Sequence, residues 1–473
     1  MERIILIDLP TLPKGFVTLS LPTVDAALSR YFHVEMFDLN LLKFDDIDFS
    51  KYQDAVAWGF KVSSQNVKLA ISYSNQLKKI FPETKIMWGG EFTSLRPEEA
   101  EKYCDILILG RIESIAEAVA NDLALNVSKK RYVSNPENHL FISPKISQQL
   151  DKNYKLFMGV PLETSLGCVK NCTFCMVHIT QPTINFKTES DLNRELLAYK
   201  NKMVYVIDFN LGIKRDHLLM VANAIKNSEA LGWSCEMCLE NLDDEEVLIA
   251  LSESRCKIVY CGLESIDSDL LKKINKSKTN NTDNYHRIIK KIQSYGIGLA
   301  AGVIWGLPGS DRQTVLKTCQ FFQEIGLHYV KFTFLTYNPG TKVKSSMEKL
   351  GTYTSDDDSI YDGNHLSYLP ANSSHEEILS SARLSYKYFY SFGNMLSRSF
   401  KAKGILKKIE RLMFNFLYRS SMNYWNTEVL NLKGPSYDKM LLEPHRSTLI
   451  ERLANFVLLT VWKLQKYLNN INL

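Results

Sequence analysis

This chain has no long apolar run. Its N-terminus, Met1-Glu-Arg-Ile-Ile-Leu-Ile-Asp8, lacks signal-peptide anatomy, because its apolar stretch is short and soon meets Asp8 and Pro10. In the C-terminal segment the longest uncharged run, Leu453–Trp462, is ten residues, too short to span a bilayer. No internal repeat or low-complexity tract occurs. Cysteine is scarce and odd in number, nine in 473 residues; without a secretion signal this reads as reduced thiols and metal ligands rather than disulfides, and a cytoplasmic location is expected. A chain-wide basic surface is also missing. Net charge is +5, but residues 371–473 carry fifteen Lys/Arg against seven Asp/Glu, so the remainder is acidic by about 3. That distribution argues against nucleic acid as a partner.

What is present is the composition of a globular protein, 45% apolar and 23% charged, with length for about two to four domains. Residues 1–125 alternate strands (Arg3–Asp8, His33–Asp38, Asp54–Phe60, Thr84–Trp88, Asp105–Leu109) with helical segments (Thr23–Tyr31, Val67–Ile80, Pro97–Tyr103, Glu113–Leu123). Such alternation implies a doubly wound parallel sheet, with ligands at the turns after its strand ends. Residues 126–158 are polar and proline-containing and read as a connection. A second β/α series fills 159–345: strands near 162–166, 203–208, 233–239, 256–261, 297–304 and 328–334, with helices between them. Six strands in this pattern predict a parallel partial barrel whose chemistry gathers at its C-terminal strand ends. Residues 346–473 begin irregularly and then turn helical, near 374–390, 393–418 and 446–469, with an interruption around Lys433-Gly-Pro435. Arg398–Arg419 reads as a basic amphipathic helix, either a solvated face over a core stripe or a contact for an acidic peptide or a membrane surface.

Gly167-Cys-Val-Lys-Asn-Cys-Thr-Phe-Cys175 places three thiols, Cys168, Cys172 and Cys175, on a loop leaving the first barrel strand. This C-x3-C-x2-C spacing offers three thiolates to one centre and leaves a coordination place open. An iron–sulfur cluster fits. A Cys3His zinc site with His178 also fits, and the cysteines alone do not decide. Strand four ends Tyr260-Cys-Gly-Leu-Glu-Ser265, where a small residue and a carboxylate can approach ribose hydroxyls. Strand five runs Ala301-Gly-Val-Ile-Trp-Gly-Leu-Pro-Gly309, whose glycines admit a flat ring. Phe174 offers an aromatic face beside the cysteine loop.

In this order, over about 160–345, these stretches resemble the radical S-adenosylmethionine (SAM) superfamily, with its Cys-x3-Cys-x-aromatic-Cys loop, Gly-x-Glu strand and Gly-x-Ile-x-Gly strand on a partial TIM barrel. The resemblance implies that Cys168, Cys172 and Cys175 ligate a 4Fe–4S cluster. Phe174, Ile304 and Gly306 would border adenine, and Glu264 and Ser265 would face ribose. Asp208 and Asn210, at the end of strand two, would lie near SAM or substrate. The activity implied is reductive cleavage of SAM to a 5′-deoxyadenosyl radical that abstracts hydrogen, fed by a donor such as flavodoxin or ferredoxin. Thr336-Tyr-Asn-Pro-Gly-Thr341 is similar to the segment closing many such barrels. Lys276 either matches a family position or is a solvated helix end.

The N-terminal sheet resembles the Rossmann-type cobalamin-binding domain of one subgroup. Its strand-end turns carry Ser63, Ser64, Gly89, Gly90, Thr93 and Gly110 as expected cobalamin contacts. The chain departs from that pattern at Gly110-Arg-Ile-Glu113 and at Phe92, and has no Asp-x-His-x-x-Gly motif. The resemblance implies methyl transfer to a natural-product or peptide substrate. The alternatives are a cobalamin-free cyclase, mutase or cross-linking enzyme, or a non-catalytic zinc- or corrinoid-binding protein. The other six cysteines, at 104, 235, 238, 256, 261 and 319, read mostly as core thiols.

Overall fold

A computed structural model describes residues 2–12, 14–145, 159–336, 338–343, 351–353, 357–371, 373–421, 441–446 and 448–471. Two six-stranded parallel sheets dominate them. The first runs β2-β1-β3-β4-β5-β6, from β1 (Arg3–Asp8), β2 (His33–Asp38), β3 (Ala55–Lys61), β4 (Lys85–Gly89), β5 (Ile106–Leu109) and β6 (Arg131–Val133). Every pairing is parallel. Successive side chains leave opposite faces of a strand, and both faces are covered. Ile5, Ile7, Trp58, Phe60 and Trp88 pack under Val67–Ile80. Ile4, Leu6, Ala57, Met87 and Ile108 pack under Ser20–Leu28 and Ala116–Ala124. Order 2-1-3 reverses direction between β1 and β3, which marks the crevice where such sheets bind ligands.

The sixth strand corrects the reading of 126–158 as a plain connection. Arg131–Val133 pairs with β5 although only Tyr132 of the three is buried. Residues 146–158 lie outside the described set.

The second sheet runs β7-β10-β11-β12-β13-β14: Val160–Leu162, Met203–Val206, Gly232–Glu236, Cys256–Glu264, Gly298–Trp305 and Tyr329–Phe334. It is the partial barrel, again parallel throughout. Its first strand is shorter than expected. Ser165–Leu166 (β8) leaves the barrel to pair antiparallel with Asn185–Phe186 (β9), and the cysteine loop lies between these two strands. Gly167 needs its lack of a side chain: φ is +76°, and a Cβ would strike the Thr183 carbonyl.

In the C-terminal region, Gly351–Tyr353 (β15) pairs antiparallel with Tyr368–Pro370 (β16) in a stretch read as irregular. The expected helix 393–418 is two, Phe392–Phe400 and Ile405–Ser421, parted before Gly404 at φ +84°. Its basic face is partly inward. Arg398 is fully buried, donates to Gln323 and the Phe389 carbonyl, and lies 3.7 Å over the Phe389 ring. Buried Arg411 donates to the Gly326 carbonyl, at the turn leading into β14. These two cations fasten the helices to the barrel. The interruption near Lys433–Pro435 lies outside the described residues.

Candidate functional site

The cysteine loop opens at the C-terminal end of the barrel. Cys168, Cys172 and Cys175 are unpaired and part-exposed. The Cys175 amide donates to the Cys172 carbonyl at 3.2 Å, and the Lys170 amide approaches the Cys168 sulfur at 3.4 Å. Burial pushes the Cys172 thiol up to about 11, against the pull of Lys276, and raises Cys175 likewise. Metal binding would have to displace those protons.

Among the described residues, no three His, Cys, Asp or Glu side chains converge as closely as a single metal ion requires. His178, the fourth ligand of the zinc reading, points to solvent on Val177–Thr180. With His178 turned outward, the loop offers three soft thiolates to one centre.

Beside the loop, Glu264 ends β12 with φ +63°, next to a register shift against β13. A non-glycine residue in that region is a strained backbone of the kind found at binding sites. Its buried carboxylate fills the space left by Gly262 and lies near that left by Gly302; a Cβ at Gly302 would also meet the Tyr260 hydroxyl. Lys276 completes the arrangement. Far from being a solvated helix end, it is buried, donates to the Gly262 carbonyl at 3.1 Å and stands 3.5 Å from Glu264. Burial works against its charge, but Glu264 and the Cys172 thiol outweigh that, so it keeps its proton.

Phe174 packs in one cluster with Ile304 and Leu307, which brings together two of the residues expected around adenine. Gly306 follows at φ +76°. Ser265 serves the backbone instead: its hydroxyl accepts from the Asp267 amide and its carbonyl from Tyr285. Asp208 has no exposed surface. Its carboxylate accepts from the Thr164 amide (2.7 Å), the Thr164 hydroxyl (2.6 Å) and the Ser165 hydroxyl (2.6 Å). Burial nonetheless raises it to about 6. Asp208 thus braces the strand that feeds the cysteine loop. Asn210 is buried with its Oδ1 accepting from the Cys238 amide and its Nδ2 unpartnered, a donor left for a ligand. Five of the six remaining cysteines are buried, as expected, whereas Cys238 is part-exposed and within electrostatic reach of Cys168.

A cavity of about 410 Å³ lies between the first sheet and the barrel. Its sheet wall is Leu6 of β1, Gly59 and Lys61 of β3, and the turns Gly89-Gly90-Glu91 and Gly110–Glu113. Its barrel wall is Glu163, Ser165, Met176, Thr180, Gln181 and Phe209. It therefore opens at the strand reversal and beside the cysteine loop at once. Gly90 is required: φ is +115°, and a Cβ would lie 2.6 Å from the Val62 carbonyl.

Of the expected cobalamin contacts, Gly89, Gly90 and Gly110 line this cavity, while Ser63, Ser64 and Thr93 do not. Thr93 braces the turn by donating to the Gly90 carbonyl, and the buried Ser63 hydroxyl has no partner. Glu91, Arg111 and Glu163 join the site beyond the residues expected there. Glu91 faces the cavity, and burial pushes its carboxyl up to about 6 against the influence of Lys61. Arg111 donates at 2.8 and 2.7 Å to both oxygens of Glu163 across the domain boundary and also holds Glu113. The departure at Gly110-Arg-Ile-Glu113 is thus a bidentate link between sheet and barrel, which only the pairing partner at 163 reveals. The glycine-walled floor fits a broad, flat ligand, whereas the space beside Gly262 and Gly302 is filled by Glu264, Lys276 and the Tyr260 hydroxyl.

Residues 162–322 match the radical SAM superfamily. The chain is 23% identical over 415 residues to bacteriochlorophyllide d C-12(1)-methyltransferase of Chlorobaculum tepidum, covering 85% of this chain and 86% of that one. It resembles the solved cobalamin-dependent SAM radical enzyme OxsB with aqua-cobalamin bound, with a TM-score of 0.66 and 14% identity over 100% of this chain and 80% of that chain. It also resembles the radical SAM methyltransferase TsrM from Kitasatospora setae with cobalamin and a [4Fe–4S] cluster bound, at TM-score 0.60 and 12% identity over 93% and 98%. At these identities the two solved structures establish a shared fold.

Proposed function

From a chain whose residues 162–322 form a domain of the radical SAM superfamily, we propose an enzyme that cleaves SAM at a 4Fe–4S cluster and transfers a methyl group, by way of cobalamin, to carbon in a natural-product or peptide substrate. One observation carries this reading: the glycine-walled ends of the first sheet and the cysteine-loop end of the barrel border a single cavity. A methyl carrier on the one wall would face a substrate activated at the other. The named activity of the Chlorobaculum relative and the cobalamin held by both solved neighbours support it.

When bound, the cluster and SAM supply the electron and the hydrogen-abstracting group, and cobalamin supplies the methyl. The chain's own residues do the rest. Cys168, Cys172 and Cys175 hold the cluster, and Lys276 keeps a positive charge beside those thiolates. Phe174, Ile304 and Gly306 border the adenine, and Glu264 the ribose. Asp208 fixes the loop through Thr164 and Ser165. Gly59, Gly89, Gly90 and Gly110 would seat the corrin, and Arg111 with Glu163 holds the two walls in register. The domain division belongs to the same proposal, at 1–125, 159–345 and 346–473, with Arg131–Val133 joining the first unit.

Anaerobic purification and reconstitution test it. Expected are about four irons per chain, cobalamin retained through gel filtration, 5′-deoxyadenosine formed on reduction with SAM, and label from methyl-labelled SAM appearing in the corrinoid. Absence of iron or of 5′-deoxyadenosine overturns the reading. Cobalamin failing to bind while SAM is cleaved replaces methyl transfer with a rearrangement or cross-linking reaction.

A further inference from the structure

Of the six cysteines outside the loop, five are buried and Cys238 is part-exposed. It follows β11 at the C-terminal end of the barrel and opens the turn Leu239–Asp243. Its backbone is held on both sides. The Cys238 amide donates to Asn210 Oδ1 at 3.0 Å, and the Cys238 carbonyl accepts from the Asn241 amide at 3.1 Å. The cysteine loop reaches this turn: the Lys170 amide approaches the Cys168 sulfur at 3.4 Å, and the Lys170 ammonium pairs with Glu240, two residues beyond Cys238. Cys238 also lies in the field of Cys168 and Cys172 and of Lys170 and Lys276. Asn210 is 2% exposed and its Nδ2 has no partner. Because its Oδ1 is committed to the Cys238 amide, that buried donor stands beside the same turn.

Thiolates are the ligands that iron–sulfur clusters take, and four of them close a four-iron centre. The loop supplies three. Cys238 brings a fourth to the same mouth from a different strand end, and no step of the proposed reaction uses it. On the cluster assignment proposed above, we infer that the Cys238 thiolate binds the fourth iron while SAM is absent and yields it when SAM arrives. Lys170 and Lys276 offset the added negative charge, and the unpartnered Asn210 amide offers an N–H to a sulfur of the closed centre. In the exchange one iron–sulfur bond breaks, SAM donates the replacing ligands, the thiolate takes a proton from water, and no electron moves. A closed centre exposes no iron to water or oxygen, so the idle enzyme keeps its cluster. As an internal competitor, Cys238 lowers the apparent affinity for SAM by the fraction of chains left open.

The test uses the full-length protein, reconstituted anaerobically with Mössbauer-active iron and without SAM. Expected are about four irons per chain, all with the signature of sulfur ligation, one of which shifts to nitrogen and oxygen ligation when SAM is added. Cys238→Ala should show one distinct iron before SAM is added, at unchanged iron content and circular dichroism. It should also bind SAM about tenfold more tightly in equilibrium dialysis, whereas loss of an ordinary SAM contact would weaken binding. Cys238→Ala that binds SAM no better than wild type overturns the inference. If that variant loses its cluster, the wild-type spectrum decides: one distinct iron before SAM is added overturns the inference and leaves the proposed function standing. Wild type that takes up no iron overturns both.

Discussion

The two parallel sheets share their architecture and differ in what they place at their strand ends. The barrel presents thiols, a strained Glu264 and a buried Lys276, groups that already satisfy one another around a glycine cradle. The first sheet presents glycines around an open cavity, with Glu91 on its wall and the Arg111–Glu163 link crossing it. The parallel sheet fixes where a ligand goes. The residues on its turns set whether the site does chemistry or holds a carrier. The wall that holds needs space, and the wall that reacts needs charge.

Removing one thiol breaks the comparison most sharply. Cys172→Ala should bring iron to background and abolish 5′-deoxyadenosine formation, while cobalamin retention through gel filtration stays as in wild type. Loss of cobalamin in the same variant would mean that the two walls form one cooperative site. Next in size is Lys276→Met, which leaves the Glu264 carboxylate buried without its cation. Breaking a buried pair in this way costs about 3–5 kcal/mol, read as a lower midpoint in chemical denaturation. A loss under about 1 kcal/mol would show that Glu264 takes up a proton instead. On the other wall, Gly90→Ala forces a Cβ against the Val62 carbonyl at positive φ, a strain of about 1–3 kcal/mol. Cobalamin retention should be lost and SAM cleavage kept. The reverse pattern would place the carrier elsewhere.

These effects differ in how far the sequence foretells them. The cysteine spacing, the alternation of strands with helices and the glycine turns are readable because each is local: a tight motif, a short apolar run followed by a helical spacing, a break in a run. Lys276 is not, since Lys272-Lys-Ile-Asn-Lys276 reads as a charged helix end; its burial depends on the Gly262 carbonyl and Glu264 on another element. Arg111 pairs with a residue 52 positions away, and no local pattern announces that. β6 escaped notice because one buried tyrosine between two exposed residues makes no apolar run. Arg398 and Arg411 looked like a solvated face because periodicity reports which residues share a side, not what the side meets.

The smallest expected effect separates the two walls by their carboxyls. Glu91 faces the cavity with its carboxyl raised by burial from 4.5 to about 6, with Lys61 pulling it down and Asp362 pushing it up. The folded chain therefore binds this proton more tightly than the unfolded chain does. Its contribution to stability is fully present below pH 4.5 and is lost as pH rises through about 6, a change of about 2 kcal/mol in all. Glu91→Gln cannot titrate, so its stability relative to wild type should rise by up to that amount between pH 4 and pH 7, measured from urea midpoints at each pH. Asp208 is raised in the same direction, but Thr164 and Ser165 hold its carboxylate. Asp208→Asn should therefore lower stability at every pH, where Glu91→Gln raises it at neutral pH. A difference between Glu91→Gln and wild type that does not change with pH would mean that Lys61 keeps Glu91 ionised, and the carrier wall would then be charged in the same way as the reactive one.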